Sequence, residues 1–144
     1  MREEEWKVLG EHAAFIAREE SAGRANGWQL ATLAAYRELK QRRDAGYGAE
    51  RAVAERIRQK SVEGWTPEHD AQHGQGELAM AAACYALNKM PMYTDGWRAD
   101  TLEWWPWHPD WDKRKKHDRE RSLEIAAALI MAELDRIQAA KEGK

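Results

Sequence analysis

Cysteine is almost absent from this chain of 144 residues, and its one example, Cys84, excludes an internal disulfide and any cysteine-built zinc cluster. Cys84 lies in the alanine-rich run Ala81-Ala82-Ala83-Cys84-Tyr85-Ala86, where a buried, inert thiol is expected. Glycine and proline are sparse, at 10 and 4, and β-branched residues are few, while alanine, glutamate, arginine and leucine dominate. That balance disfavours strands and predicts an all-α fold. No apolar run approaches the roughly 20 residues needed to span a bilayer. The start Met1-Arg2-Glu3-Glu4-Glu5 lacks the apolar core of a signal peptide, so a cytoplasmic protein with no membrane partner is expected. Charge of one sign is also missing: the net charge is −2, which gives no reason to expect nucleic acid or an acidic membrane as partner. Phenylalanine occurs once, yet tryptophan occurs eight times.

Hydrophobic spacing predicts about five helices in one compact, bundle-like domain, with a long tryptophan-rich irregular loop before the last helix. Trp6, Leu9, Ala13, Ile16 and Ala17 recur at helical spacing from about Glu3 to Ser21. A second helix runs from about Gly27 to Arg43, capped by Asn26, and breaks at Asp44-Ala45-Gly46-Tyr47-Gly48. A third runs from about Ala49 to Val62 with Val53 and Ile57 inward; its other face carries Arg51, Arg56, Arg58 and Lys60. That face is either plain solvated surface or a phosphate-facing cluster. The fifth, about Arg119 to Lys141, has Leu123, Ala127, Ile130, Leu134 and Ile137 as a heptad-like apolar stripe, with Glu124 and Glu133 near one rim. The alanine stripes of the fourth and fifth helices suit a homo-oligomer.

The densest chemistry lies between the third and fourth helices. Gly64 and Pro67 break the preceding helix, Thr66 is a natural N-cap, and Pro67 suits the first helical position. The spacing predicts a fourth helix from about Glu68 to Asn88. On it His69, His73 and Glu77 would follow one another by four residues, with Asp70 alongside. Two imidazoles and two carboxylates on one face are candidate catalytic groups or ligands for a divalent metal. The plainer account is that the carboxylates cap the helix and the imidazoles bond to loops or water. Gly74 and Gly76 disfavour helix here by roughly 1 kcal/mol each, and leave the helix start open.

Residues from Lys89 to Asp118 show little helical period, and such long loops are often functional. Five tryptophans fall between Trp97 and Trp111, and Pro106 and Pro109 forbid a regular helix through them. Trp104, Trp105, Trp107 and Trp111 either plug a thin core or form a wall on which a planar ligand such as a base stacks. The basic run Lys113-Arg114-Lys115-Lys116-His117 lies beside them and is solvated surface by default.

From about residue 52 onward, the chain resembles a family of small, mostly uncharacterised phage and prophage proteins. The resemblance is carried by Glu55-Arg56-Ile57-Arg58-Gln59, by Glu63-Gly64-Trp65-Thr66-Pro67-Glu68-His69-Asp70 with His73, and by Gly76-Glu77-Leu78-Ala79 leading into the alanine run. It closes on Trp105-Pro106-Trp107 and Ala126-Ala127-Ala128-Leu129-Ile130-Met131-Ala132-Glu133-Leu134. Ala71 stands where the family often has a second Asp, and His108-Pro109-Asp110-Trp111-Asp112 replaces a Trp-Lys-Pro pattern. The resemblance divides the chain into an N-terminal helical hairpin, residues 1–48, and a matching core, residues 49–144. It implies a viral origin, hence a host-cell cytoplasmic location, and supplies no settled activity.

Three functions follow as expectations. The first is a binder of a nucleotide-like small molecule, able to sequester a host immune signal. In it Trp65 and the tryptophans at 104, 105, 107 and 111 supply the base contact, Arg56, Arg58 and Lys113 meet phosphates, and His69, Asp70 and His73 read sugar hydroxyls. The second is an all-α, metal-dependent nucleotide pyrophosphohydrolase, loosely similar to the MazG-like group. It would place Asp70, Glu77 and Glu124 or Glu133 around a divalent cation. The Glu-Glu-x-x-Glu signature of that group is not reproduced near Glu77, and imidazoles suit Zn²⁺, Mn²⁺ or Ni²⁺ better than Mg²⁺. The third is a protein-binding inhibitor of a host defence protein, anchored by exposed tryptophans.

Overall fold

Two long amphipathic helices, α1 (Glu3–Ser21) and the first half of α2 (Gly27–Ser61), form a hairpin at the start of the chain. In this computed structural model residues 1–90 and 104–143 are described; Trp97 and the rest of the predicted loop through Glu103 lie outside the described residues. After α2 come the single turn α3 (Pro67–Asp70), α4 (Glu77–Leu87), two one-turn 3-10 segments at Pro109–Trp111 and Arg114–Lys116, and α5 (Arg119–Lys141). The fold is all-α, with no strand among the described residues. None of their helices is long and apolar enough to cross a membrane.

The chain divides into two compact units, Met1–Ala49 and Glu50–Lys144. The first is thinly cored. Ala13, Ile16 and Leu33 are its buried residues, with Ala17 and Tyr36 packed against them. Trp6 lies edge-tilted against Tyr36 at 6.3 Å, beneath the Arg43 guanidinium at 4.9 Å. The predicted break at 44–48 is present as a kink at which two helical stretches of α2 meet. Gly46 takes φ 79°, ψ 179°, dihedrals that a side chain would resist, and the helical hydrogen bonds resume beyond it.

The second unit is built on α4 against α5. Leu78, Ala81, Ala82 and Tyr85 of α4 meet Ile125, Ala126, Leu129 and Ala132 of α5, with Cys84 and Trp105 completing the core. Small residues dominate the contact because alanine lets two helix backbones approach closely, and one large indole fills the space left over. Burial pushes the Cys84 thiol up from its ordinary pKa, as suits an inert packing residue.

Three expectations are corrected here. The predicted fourth helix does not run from Glu68 to Asn88; it stops after Asp70 and restarts at Glu77. Gly76, at φ 90°, turns the chain, so the equal spacing of His69, His73 and Glu77 has no common helix beneath it. Val53 and Ile57 are exposed, while Ala52, Glu55, Arg56 and Gln59 form the inward face of α2. The heptad stripe of α5 also points outward: Leu123, Ile130, Leu134 and Ile137 are exposed, and the inward face carries Ser122, Ile125, Leu129 and Ala132.

Candidate functional site

The turn into α3 folds as its residues dictate. Thr66 is extended and its hydroxyl oxygen accepts a hydrogen bond from the His69 amide at 3.4 Å, with Pro67 at the first helical position. Asp70 then points inward. Its carboxylate pairs with the Arg56 guanidinium, both side chains almost wholly buried. Arg56 also donates to the Trp65 carbonyl at 3.5 Å. These two residues tie α3 to α2; neither Arg56 nor Asp70 is presented to a ligand, contrary to the phosphate and sugar roles expected of them.

The imidazoles and indoles do meet, as a chain of rings. Trp65 lies parallel to His69 at 6.4 Å, His69 meets His73 at 5.0 Å, and His73 meets Trp107 edge-on at 5.3 Å. Trp107 then meets Trp105 at 5.3 Å, and Trp105 meets Tyr85 at 5.9 Å. Trp105 is core, 8 % exposed. The half-buried Trp107 packs between His73 and Trp105. Half of the expected aromatic wall, Trp105 and Trp107, is thus spent on packing. Glu77, whose carboxylate accepts from the Gln75 amide at 2.8 Å, closes the turn instead of facing the histidines. Among the described residues no group of three or more His, Cys, Asp or Glu is placed to hold a metal ion. His69, Asp70, His73 and Glu77 therefore do not form the predicted ligand set.

A cavity of about 670 Å³ opens elsewhere in the same unit. Helix α2 contributes Glu55 and Arg58, and the turn after it contributes Glu63 and Trp65. The floor is Tyr85 of α4 and Ile125 of α5. The far wall is the connector: Asp110 and Trp111, then Lys113, Lys116 and His117, with Arg121 following on α5. Of the expected ligand residues, Arg58, Trp65, Trp111 and Lys113 line it. His69, His73, Trp104, Trp105 and Trp107 do not.

The connector is held in place at the end of α4, where carbonyl oxygens lack helical partners. The Arg114 guanidinium makes a two-point pair with Asp112, 2.9 and 2.7 Å, donates to the Cys84 carbonyl at 3.5 Å and sits over the Trp105 ring. Arg119 donates to the carbonyls of Ala86 and Asn88. Asn88 in turn donates to the Arg114 carbonyl at 2.9 Å and the Ser122 hydroxyl at 2.8 Å. Asp118 caps α5 by accepting from the Arg121 amide at 2.7 Å. These anchors bury Arg114 and leave the neighbouring Trp111, Lys113 and Lys116 turned to the cavity and to water.

Charge in the cavity is of two kinds. Glu55 is buried, and burial alone would raise its pKa. Hydrogen bonds from Arg58 and Arg121 outweigh this and hold its carboxyl below the ordinary range. Arg58 also reaches Glu63 at 2.7 Å, and its own pKa is raised by Glu55 first and Glu63 second. This network is internally neutralised. Lys113 and Lys116 are different: among the described residues neither forms an ion pair, and Lys113 donates to the Asp110 carbonyl at 2.8 Å. Burial pushes the Tyr85 hydroxyl up to about 12, so it stays protonated. Burial first and Arg121 second lower His117 from its usual value, so it is neutral near pH 7.

Sequence reasoning missed Glu55, Glu63, Tyr85, Lys116, His117 and Arg121 as cavity residues. The run at 113–117 was visible as a basic stretch; its signal was adjacency to Trp111. Nothing local could have shown that Glu55 and Arg121, 66 residues apart, would pair. In comparison with known proteins, the chain matches no family model, no curated protein and no solved structure.

Proposed function

We propose that this chain binds a small anionic molecule with an aromatic group, of the nucleotide class, in the cavity of the Glu50–Lys144 unit. One observation carries the reading: the indoles of Trp65 and Trp111 and the ammonium groups of Lys113 and Lys116 line the same cavity. Its volume falls in the roughly 300–1,000 Å³ range of small-molecule sites. The exposed Trp111 supplies a stacking face, the lysines supply phosphate contacts, and the exposed carboxylate of Glu63 offers an acceptor to base amines or sugar hydroxyls. Binding without turnover fits the carboxylates better than hydrolysis. Asp70 is committed to Arg56, Glu124 to Arg51 and Arg121, and Glu133 to Arg136. That leaves the pyrophosphohydrolase reading without an open carboxylate cluster. With the phage-like motifs of the sequence, the reading becomes a viral sponge for a nucleotide signal of the host.

Calorimetric titration with mono-, di- and cyclic nucleotides tests this, alongside mass spectrometry of small molecules carried by protein purified from cells with active nucleotide-signalling defences. The expected outcome is one-to-one capture and release of an unaltered molecule on heating. Absence of any bound or bindable nucleotide would refute the reading. Capture of a host protein, through Trp111 or the half-exposed Trp104, would favour the inhibitor in its place.

A further inference from the structure

One apolar feature has no part in the cavity. Leu123, Ala127, Ile130, Leu134 and Ile137 follow one another by alternating steps of four and three, the seam of a two-stranded helical packing. The four large residues of that seam are between 37 % and 61 % exposed, and α5 is packed into its unit by the opposite face.

The seam is nearly symmetric end for end. A twofold axis at Ile130 brings Leu123 level with Ile137 of a second copy, and the small Ala127 within one residue, about 1.5 Å along the helix, of the large Leu134. The same operation sets Glu120, at the start of the seam, against Lys141 at its end. A parallel pairing would instead set Glu120 against Glu120, Lys141 against Lys141 and Ala127 against Ala127, leaving like charges at both ends and a gap between. Antiparallel helices also oppose their macrodipoles favourably. Size, charge and dipole thus agree on one occupant, in the self-complementary arrangement of a twofold dimer.

We propose that the outward face of α5 is a homodimer interface in which two α5 helices pack antiparallel about Ile130. From Glu120 to Lys141 the strip is about 32 Å long and roughly 10 Å wide. That is less than the roughly 800 Å² per partner of a standard interface, so the dimer dissociates on dilution.

Sedimentation equilibrium of the full chain tests it. The expected result is a reversible monomer–dimer equilibrium whose upper limit is twice the 16.6 kDa chain mass. Ile130→Arg should abolish the dimer with helical circular dichroism unchanged, since the side chain already faces water. Glu120→Lys should weaken the dimer on the order of tenfold, because it makes two repulsive pairs, and Glu120→Lys/Lys141→Glu should restore it. A chain that stays monomeric to about 1 mM overturns the proposal. So does a dimer indifferent to Ile130→Arg. A dimer indifferent to Glu120→Lys would mean parallel helices, in which like charges meet at position 120 before and after the change, and overturns it equally.

Discussion

Replacing Asp70 with alanine should strip stability from this protein without acting on its cavity. Arg56 and Asp70 are 3 % and 2 % exposed, and their ion pair links α2 to α3. Removing the carboxylate leaves a guanidinium buried with one carbonyl, that of Trp65, as its remaining acceptor. A buried charge stripped of its partner costs about 3–5 kcal/mol, a large share of the roughly 5–15 kcal/mol that holds a domain folded. In a unit of about a hundred residues that lowers Tm by roughly 15–30 °C. Urea unfolding followed by circular dichroism reads the difference directly.

The repair is as informative as the damage. Among the described residues the Arg56 Nε and the Gln59 Oε1 are both buried without a hydrogen-bond partner, so the polar network around the pair is only partly satisfied. Such a network is a poor stabiliser beside an apolar core of equal volume. Arg56→Met/Asp70→Leu should therefore recover most or all of the lost stability, and should bind the cavity ligand as the parent does. If Asp70→Ala costs under about 1 kcal/mol, or the double variant is as unstable as the single one, the pair is not the structural clamp described here.

Three other outcomes follow from the same geometry. Trp111→Ala and Lys116→Ala should each weaken nucleotide binding in calorimetry by about tenfold while leaving Tm within a degree or two, since both side chains are exposed. Binding of a phosphate diester should tighten as pH falls below about 6.5, because an anion favours charged His117 and the free protein holds that imidazole neutral through burial and Arg121. The unliganded fold should lose stability over the same window, since the unfolded chain takes up the proton first; in His117→Ala both trends should flatten. Gly76→Ala should cost about 1–2 kcal/mol in urea unfolding: φ 90° strains any side chain, although the space around it is open.

Local chemistry in the sequence placed much of this fold. α1 and α5 span the residues at which their periodicity begins and ends, and the start of α3 follows from Thr66 and Pro67 alone. The errors began where a local rule met a non-local one. Helical spacing of His69, His73 and Glu77 presumed that two glycines would be tolerated, yet Gly76 turns the chain. The two roles open to the tryptophans were both real but fell to different residues, Trp105 to the core and Trp111 to the cavity. That division depends on Arg114 clamping the connector to the end of α4, a contact between residues 30 apart that no periodicity announces.

The outward turn of the α5 stripe has the same kind of cause. A helix with two usable faces buries whichever its neighbour can match, and α4 offers alanines. Against them the small and medium residues Ala126, Leu129 and Ala132 pack at close range, whereas the bulk of Leu123, Ile130 and Leu134 would hold the helices apart. Hydrophobicity alone ranks the seam as the better face to bury, at roughly 1.5–3 kcal/mol per large side chain. Close packing along the whole length of α4 outweighs it within one chain. The stabilisation left unrealised on the seam then becomes available to a second copy.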